Sequence, residues 1–279
     1  MKPLPISEPP LSVALFMPAF NEAENLPSVV ASACDFFDRV GIEERTVIVV
    51  DDGSTDNTAA VIQHLQREYS VVAVQHQVNL GYGRALRSGF AAALDTGHEW
   101  IAYCDSDGQF SPADLALLLV AASSHQVDIV LGYREQRADN LVRRAAGRTW
   151  HRISRLVLKF RAADVDCGFK LLHRTAIAEV AGELRSDFAA ISPELLARLH
   201  RAGHRFVEVP VPHYPRASGK QSGLKPRVVM RSFVDLYTVR RELAGGRGAL
   251  ARVTGIESAP RNAVSPVRPS AGLAGQEVT

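Results

Sequence analysis

The stretch Trp100-Ile101-Ala102-Tyr103-Cys104-Asp105-Ser106-Asp107-Gly108-Gln109 is an apolar run that ends in two aspartates at i and i+2. An extended segment points residues i and i+2 the same way. Asp105 and Asp107 can therefore aim two carboxylates at one point just past a strand. Two like charges so close are costly unless a cation lies between them. Hard cations such as Mg2+ and Mn2+ take oxygen ligands, and Mg2+ is typically held by one or two carboxylates plus substrate phosphates. The pair thus reads as half of a metal–phosphate site. The competing reading is an acidic turn, because Asp, Ser and Gly are ordinary turn residues.

The elements that would position this pair can be read from the alternation of apolar runs and helical patterns. Short strands are expected at 13–17 (closed by Pro18), 46–50, 71–75, 100–104 and 128–131. Helices are expected between them, over 23–40, 57–69, 84–96 and 112–123. Continuous β-branched strands alternating with helices predict an α/β, Rossmann-like, mostly parallel sheet covered on both faces. Ligands of such sheets bind at the carboxyl ends of the strands. Asn21-Glu22, Asp51-Asp52 and Asp105/Asp107 all fall at such ends, so they are expected to converge. Further on, the pattern predicts a basic helix at 140–160 and strands at 165–172 and 206–209. It also predicts a helix at 194–201 capped by Gly203.

Composition bounds the rest. The chain has 279 residues, 46% hydrophobic and 22% charged, enough for a substantial core. A net charge of +2 gives no nucleic-acid signal. Three cysteines without CxxC spacing suggest neither disulfides nor a zinc site, and a cytoplasmic location is expected. His173, His200, His204 and His213 have no mutual metal-ligand spacing. No stretch approaches about 18 uninterrupted apolar residues, so no transmembrane helix is expected. The organisation expected is a flexible arm at 1–10, a catalytic domain at 11–225, an amphipathic helix at 226–243 and a disordered tail at 244–279. The 226–243 helix would set Val229, Phe233, Leu236, Tyr237 and Val239 on one face, with Arg227, Arg231, Arg240 and Arg241 outside. It either packs on the sheet or lies on an anionic membrane surface, giving peripheral contact at the inner face.

Several clusters in order resemble family-2 glycosyltransferases. They are Phe16-Met17-Pro18-Ala19-Phe20-Asn21-Glu22, Val49-Val50-Asp51-Asp52-Gly53-Ser54-Thr55-Asp56, Asn79-Leu80-Gly81-Tyr82-Gly83 and Asp105-Ser106-Asp107-Gly108-Gln109, the last at the family's DxD position. Asp166-Cys167-Gly168-Phe169-Lys170-Leu171 is similar to the later acceptor-side motif. Within the family the chain looks like the dolichol-phosphate mannosyltransferase-like branch, which moves a sugar from a nucleotide to a polyprenyl phosphate.

That resemblance implies a GT-A fold, a nucleotide-sugar donor and a Mg2+ or Mn2+ cofactor. Carried over by position, Pro18, Phe20, Glu22, Val50 and Asp52 would line the pocket for base and ribose. Asp105, Asp107 and Gln109 would surround the metal, and Ser106 would lie with them against the donor. Arg134 and Arg216 would be phosphate clamps, since guanidinium donors suit phosphate. Asp105, Asp107 and Asp166 would carry catalysis.

The expected chemistry is inverting displacement at the anomeric carbon, moving a hexose from a GDP- or UDP-linked donor to a polyprenyl phosphate. A phosphate monoester is largely dianionic near neutral pH, its second pKa being about 6, and needs no protein base. A hydroxyl acceptor would need one, with Asp166, Asp187 and Glu194 as candidates. Two other readings are a transferase acting on a soluble glycan or secondary metabolite, and a non-catalytic nucleotide-sugar binding protein. A Rossmann dehydrogenase fits less well, because Gly81-Tyr82-Gly83 lacks the full GxGxxG run after the first strand.

Overall fold

The computed structural model describes residues 11–134, 141–158, 162–216, 218–219, 226–245 and 257–258. The elements are β1 (Val13–Ala19), α1 (Leu26–Val40), β2 (Arg45–Asp51), α2 (Thr58–Tyr69), β3 (Val72–Gln75), α3 (Tyr82–Asp95) and β4 (Trp100–Cys104). They continue with α4 (Leu115–His125), β5 (Ile129–Arg134), α5 (Leu141–Leu158), β6 (Phe169–His173), α6 (Arg174–Val180), α7 (Ile191–Ala202), β7 (Phe206–Val211), α8 (Pro226–Gly245) and a two-residue β8 (Glu257–Ser258). The sheet runs in the order β3-β2-β1-β4-β6-β5-β7-β8. Every pairing is parallel except those of β6, which is antiparallel to both β4 and β5.

Alternate residues of β1 feed two cores. Val13, Leu15 and Met17 pack beneath α1 and α4, while Ala14 and Phe16 face α3, α6, α7 and α8. On the second face Phe16, Phe90 and Tyr103 form an aromatic cluster with ring centroids 5.0 to 5.8 Å apart. All residues of β1 are buried, as expected for a central strand covered on both faces.

Pro18 does not close β1; the strand continues to Ala19 beside β2. The pairing of β1 with β4 has already ended at Phe16 and Tyr103. The Pro18 carbonyl points to that opened side and accepts the Ser106 hydroxyl at 2.7 Å. A strand residue's N–H and C=O point the same way, so the missing proline N–H breaks no ladder bond.

Other boundaries shift for local reasons. α3 starts at Tyr82, two residues early, because Gly81 takes φ 104° and turns the chain into the helix. A Cβ there would lie 2.4 Å from the Asp187 carbonyl oxygen, so only glycine fits. The strand expected at 165–172 begins only at Phe169, since 164–168 form a loop that carries site residues. Helix α6 has only seven residues, too few to show a period. Gly203 caps α7 with φ 92°, as expected. The arm at 1–10 and the segments 246–256 and 259–279 of the expected tail lie outside the described residues.

Candidate active site

The acidic clusters converge at the carboxyl edge of β1, β2 and β4, and the loops after these strands make the contacts. Asp105 follows β4. Its backbone N–H donates to the Gly168 carbonyl at 3.0 Å, and Tyr82 Oη donates to its Oδ1 at 2.9 Å. Gly168 leaves room for that carboxylate, because a Cβ there would lie 1.9 Å from Asp105 Oδ2. Asp107 Oδ1 accepts the backbone N–H of Gln109 at 3.1 Å, an Asx-type turn that aims its second oxygen outward. That oxygen, Oδ2, accepts Arg216 Nη1 at 3.2 Å.

Arg216 spans the site. Its Nη2 also pairs with Glu22 Oε1, and its Nε donates to the Ser218 carbonyl at 2.6 Å. Asn25 Nδ2 holds the other Glu22 oxygen at 2.7 Å. Burial raises the pKa of Glu22, partly offset by Asn25 and Arg216. The turn that places Glu22 is set by Asn21, at φ 58°, a left-handed conformation that asparagine tolerates. Asn21 Oδ1 accepts Thr55 N at 2.8 Å, tying this turn to the loop after β2.

Asp52 braces the glycine loop. Its oxygens accept the backbone N–H groups of Leu80 and Gly81, each at 2.9 Å, and His76 Nδ1 lies 2.7 Å from Oδ1. His76 Nε2 is in turn 2.9 Å from Ser88 Oγ. The Asp52 carboxylate thus fixes the loop that delivers Tyr82 to Asp105.

Other expected site residues are placed differently. The Val50 side chain is fully buried in the core, leaving its backbone at the edge. Phe20 is half-buried just past β1. Ser106 is buried on the Pro18 carbonyl. Gln109 Nε2 donates to the Tyr214 carbonyl at 3.3 Å, and its own carbonyl accepts Tyr214 N at 2.9 Å. Arg134 makes a bidentate pair with Asp164, at 2.6 and 3.0 Å. That bond raises the guanidinium pKa further against the effect of burial.

Of the three base candidates, Glu194 is fully buried and accepts Arg185 N, Ser186 N and Arg198 Nε at 2.8 to 3.2 Å. Asp187 pairs with Arg84 and Arg87 at 3.2 and 2.8 Å. Asp166 Oδ1 accepts Trp150 Nε1 at 3.1 Å. Its pKa is pushed up to about 6, first by burial and then by Asp164.

Asp105 is raised to about 7, first by burial and then by Asp107, with Tyr82, Lys170 and Arg134 opposing. A carboxyl so placed gains most from a cation in contact. Among the described residues, no three His, Cys, Asp or Glu side chains lie together to hold a metal ion unaided. Asp105 and Asp107 would offer a cation two carboxylates, an all-oxygen set of the kind that holds Mg2+ together with substrate phosphates. This chemistry suits a hard divalent cation.

Sequence reasoning missed Tyr82, His76, Asp164 and Lys170 as partners. Lys170 is fully buried on β6, donates to the carbonyls of Val165 (3.3 Å) and Cys167, and faces the Tyr103 ring at 5.3 Å. It pins the loop that carries Asp166 and Gly168. A lysine inside an apolar strand is the one signal that would have marked it.

The Glycosyl transferase family 2 model matches residues 14–181, which holds β1 to β6, Glu22, Asp52, the Asp105/Asp107 pair and Asp166. The chain belongs to this family. Among curated proteins it is similar to Glycosyltransferase AglD of Haloferax volcanii, 28% identical over 216 residues. That alignment covers 75% of this chain and 34% of the relative, so the chain spans about a third of the relative's length. Among solved structures it is similar to glucosyl-3-phosphoglycerate synthase of Mycobacterium tuberculosis in complex with UDP. The TM-score is 0.59, with 20% identity, over 83% of this chain and 80% of that one. The same synthase with Mn2+, UDP and phosphoglyceric acid matches at TM-score 0.59 and 19% identity, over 82% and 78% of the two chains. At this identity the likeness concerns the fold, and it bears out the α/β, mostly parallel, GT-A architecture expected from the sequence.

Proposed function

We propose that this chain is a metal-dependent inverting glycosyltransferase. It would move a hexose from a GDP- or UDP-linked donor to the phosphate of a polyprenyl lipid. Asp105 and Asp107 would hold Mg2+ or Mn2+ with the donor diphosphate, and Gln109 would complete the turn around it. The bound cation would supply charge neutralisation for the leaving diphosphate. Solved structures of the glucosyl-3-phosphoglycerate synthase contain Mn2+ or Mg2+ with UDP, which is consistent with this assignment.

Each residue then has a task. Glu22 and the edge of β2 at Val50 and Asp52 would face the nucleoside. Pro18 and Phe20 would wall the base, with Ser106 keeping the Pro18 carbonyl in place. Arg216 would exchange Glu22 and Asp107 for the donor's phosphate oxygens. Arg134, paired here with Asp164, would be the second phosphate clamp once a phosphate oxygen takes a share of its guanidinium. An acceptor phosphate oxygen bonds to the anomeric carbon as the bond to the donor's β-phosphate oxygen breaks. The nucleoside diphosphate leaves with the electron pair.

The observation that carries the phosphate acceptor is the state of the carboxylates. Glu194 and Asp187 are engaged in structural pairs, and Asp166 is tied to Trp150. A dianionic acceptor needs none of them. One observation favours a second reading: Asp166, raised to about 6, has the poise of a general base for a hydroxyl acceptor. The test is incubation with Mg2+ or Mn2+, a panel of sugar nucleotides and polyprenyl phosphate, reading the glycosylated lipid by mass. A lipid product with one donor supports the first reading. Donor turnover only with a soluble hydroxyl acceptor supports the second.

A further inference from the structure

Helices α5 and α8 pack side by side next to the site, and their outer surface has an unusual composition. Ser232, Leu236, Val239 and Leu243 turn the buried face of α8 inward. Phe233 and Tyr237, expected on that face, instead line a flank of the helix with Met230 and Val234. Exposures on this flank are 69% for Met230, 39% for Phe233, 60% for Val234 and 64% for Tyr237. The spacing i, i+3, i+4, i+7 makes this one continuous stripe. On α5, Leu156 is 79% exposed. The stripe meets α5 where Phe233 packs edge-on against Trp150, centroids 5.4 Å apart.

The charge around the stripe has one sign. α5 carries five arginines and no acidic residue. Arg152 and Arg155 flank Leu156 on its exposed face, and Arg231 and Arg241 are exposed on α8. The two acids of α8 are engaged elsewhere. Asp235 accepts the backbone N–H groups of Asp187 and Phe188 at 3.2 and 3.3 Å, and Glu242 pairs with Arg198 at 2.7 Å. Exposed apolar side chains set among arginines match an anionic lipid surface, where the apolar groups enter the headgroup boundary and the guanidinium groups meet phosphates.

The same surface reaches the chemistry through one residue. Trp150 touches Phe233 on one side and donates to Asp166 on the other, and Gly168 nearby abuts Asp105. We infer that the outer face of α5 and α8 docks on an anionic membrane surface and sets the site where a lipid phosphate enters. This inference rests on the lipid-acceptor reading for its purpose, but the docking itself can be tested apart from it.

The experiment is co-sedimentation of the full chain with vesicles of phosphatidylglycerol and phosphatidylcholine in equal parts, or of phosphatidylcholine alone. Binding is expected to the anionic vesicles only, and to weaken as salt rises from about 0.15 M to about 1 M. The double variant V234S/Y237S and the charge variant R152E/R155E should each bind at least tenfold more weakly. Each charge near such a surface is worth about 1 kcal/mol, roughly fivefold. Both variants change exposed positions, and an unshifted thermal melt checks that each folds. Equal binding to both vesicle types, or unchanged binding by both variants, overturns the inference. So does loss of a dimer, rather than of vesicle binding, in V234S/Y237S, since the stripe then covers a second copy. Transfer to a short, water-soluble polyprenyl phosphate without vesicle binding would leave the acceptor assignment standing and remove the docking. Vesicle binding without lipid product would do the reverse.

Discussion

Gly168→Ala tests whether the position of Asp105 controls turnover. The added methyl would lie 1.9 Å from Asp105 Oδ2, 2.3 Å from its Cγ and 2.7 Å from Oδ1. Ordinary non-bonded contact needs about 3.5 Å, so the carboxyl must retreat by more than about 1 Å. It cannot do so freely. Its backbone is fixed by the bond from Asp105 N to the Gly168 carbonyl at 3.0 Å, and its Oδ1 by Tyr82 at 2.9 Å. Overpacking of this kind costs about 1–3 kcal/mol, and a lost hydrogen bond to a charged group about 1.5–3. A combined loss of about 2.5–6 kcal/mol lowers the melting temperature by roughly 5–25 °C in a domain of this size. Displacement of a catalytic group by about 1 Å costs about 100-fold in rate. The assay is initial release of nucleoside diphosphate at saturating donor and divalent cation, below the variant's melting point. A rate within about threefold of the parent, with the melt lowered as expected, would refute the placement of Asp105 in the reaction. An unchanged melt would refute the packing argument itself.

Further expectations follow from other contacts. Asp107→Ala should abolish transfer with little change in the thermal melt, because among the described residues the side chain is bonded to Gln109 N and Arg216 alone; unchanged turnover would remove the metal-site argument. Glu194→Ala should destabilise the fold by about 2–4 kcal/mol in denaturant titration, because it leaves the backbone N–H groups of Arg185 and Ser186 without their acceptor and takes one of three carboxylates from Arg198, which keeps Glu183 and Glu242. His76→Leu should raise the KM for donor more than it lowers kcat, because it removes the brace from Asp52 while leaving the Asp105 contacts intact. Asp114 is raised to about 6 by burial, and its Oδ2 is buried without a hydrogen-bond partner among the described residues. Its charged form is therefore a cost to the fold above about pH 6, relieved as pH falls towards the unfolded value near 3.8. Asp114→Asn should gain about 1 kcal/mol at pH 7, after discounting for partial exposure, and lose that advantage by about pH 4 in parallel urea titrations.

The edge of the sheet was legible in the sequence because its signals are local. Apolar runs ending in Asp51-Asp52 and in Asp105-Ser106-Asp107 mark strand ends, and those ends share an edge in any parallel α/β sheet. Glu22 and Arg216 were placed by motif, and the structure brings both to Asp107. The partners were not legible. Arg134 and Asp164 lie 30 residues apart, and only the antiparallel β6 closes the loop that brings them together. Nothing in the pattern of 165–172 gave the direction of that strand. The split of α8 into a buried and an exposed apolar set also escaped the sequence. Phe233 and Leu236 are equally apolar, but Leu236 joins the core while Phe233 lies at its edge against Trp150, a division that only the packing sets. Tyr82 stood within a recognised glycine loop, but its reach to Asp105 depends on the φ of Gly81 and on the Asp52 brace.

The bridge that Arg216 makes between Glu22 and Asp107 has a consequence for the catalytic cycle. On the proposed assignment, a donor entering the site would not meet an idle cation; it would have to displace two carboxylates from a guanidinium already satisfied. Donor binding would then be an exchange of ion partners, its apparent affinity lowered by the strength of the pairs it breaks. The same exchange would run in reverse once the sugar had left. The spent diphosphate would compete with Glu22 and Asp107 for Arg216, and their return would favour its departure. A residue that grips the donor would in this way also help to clear the product.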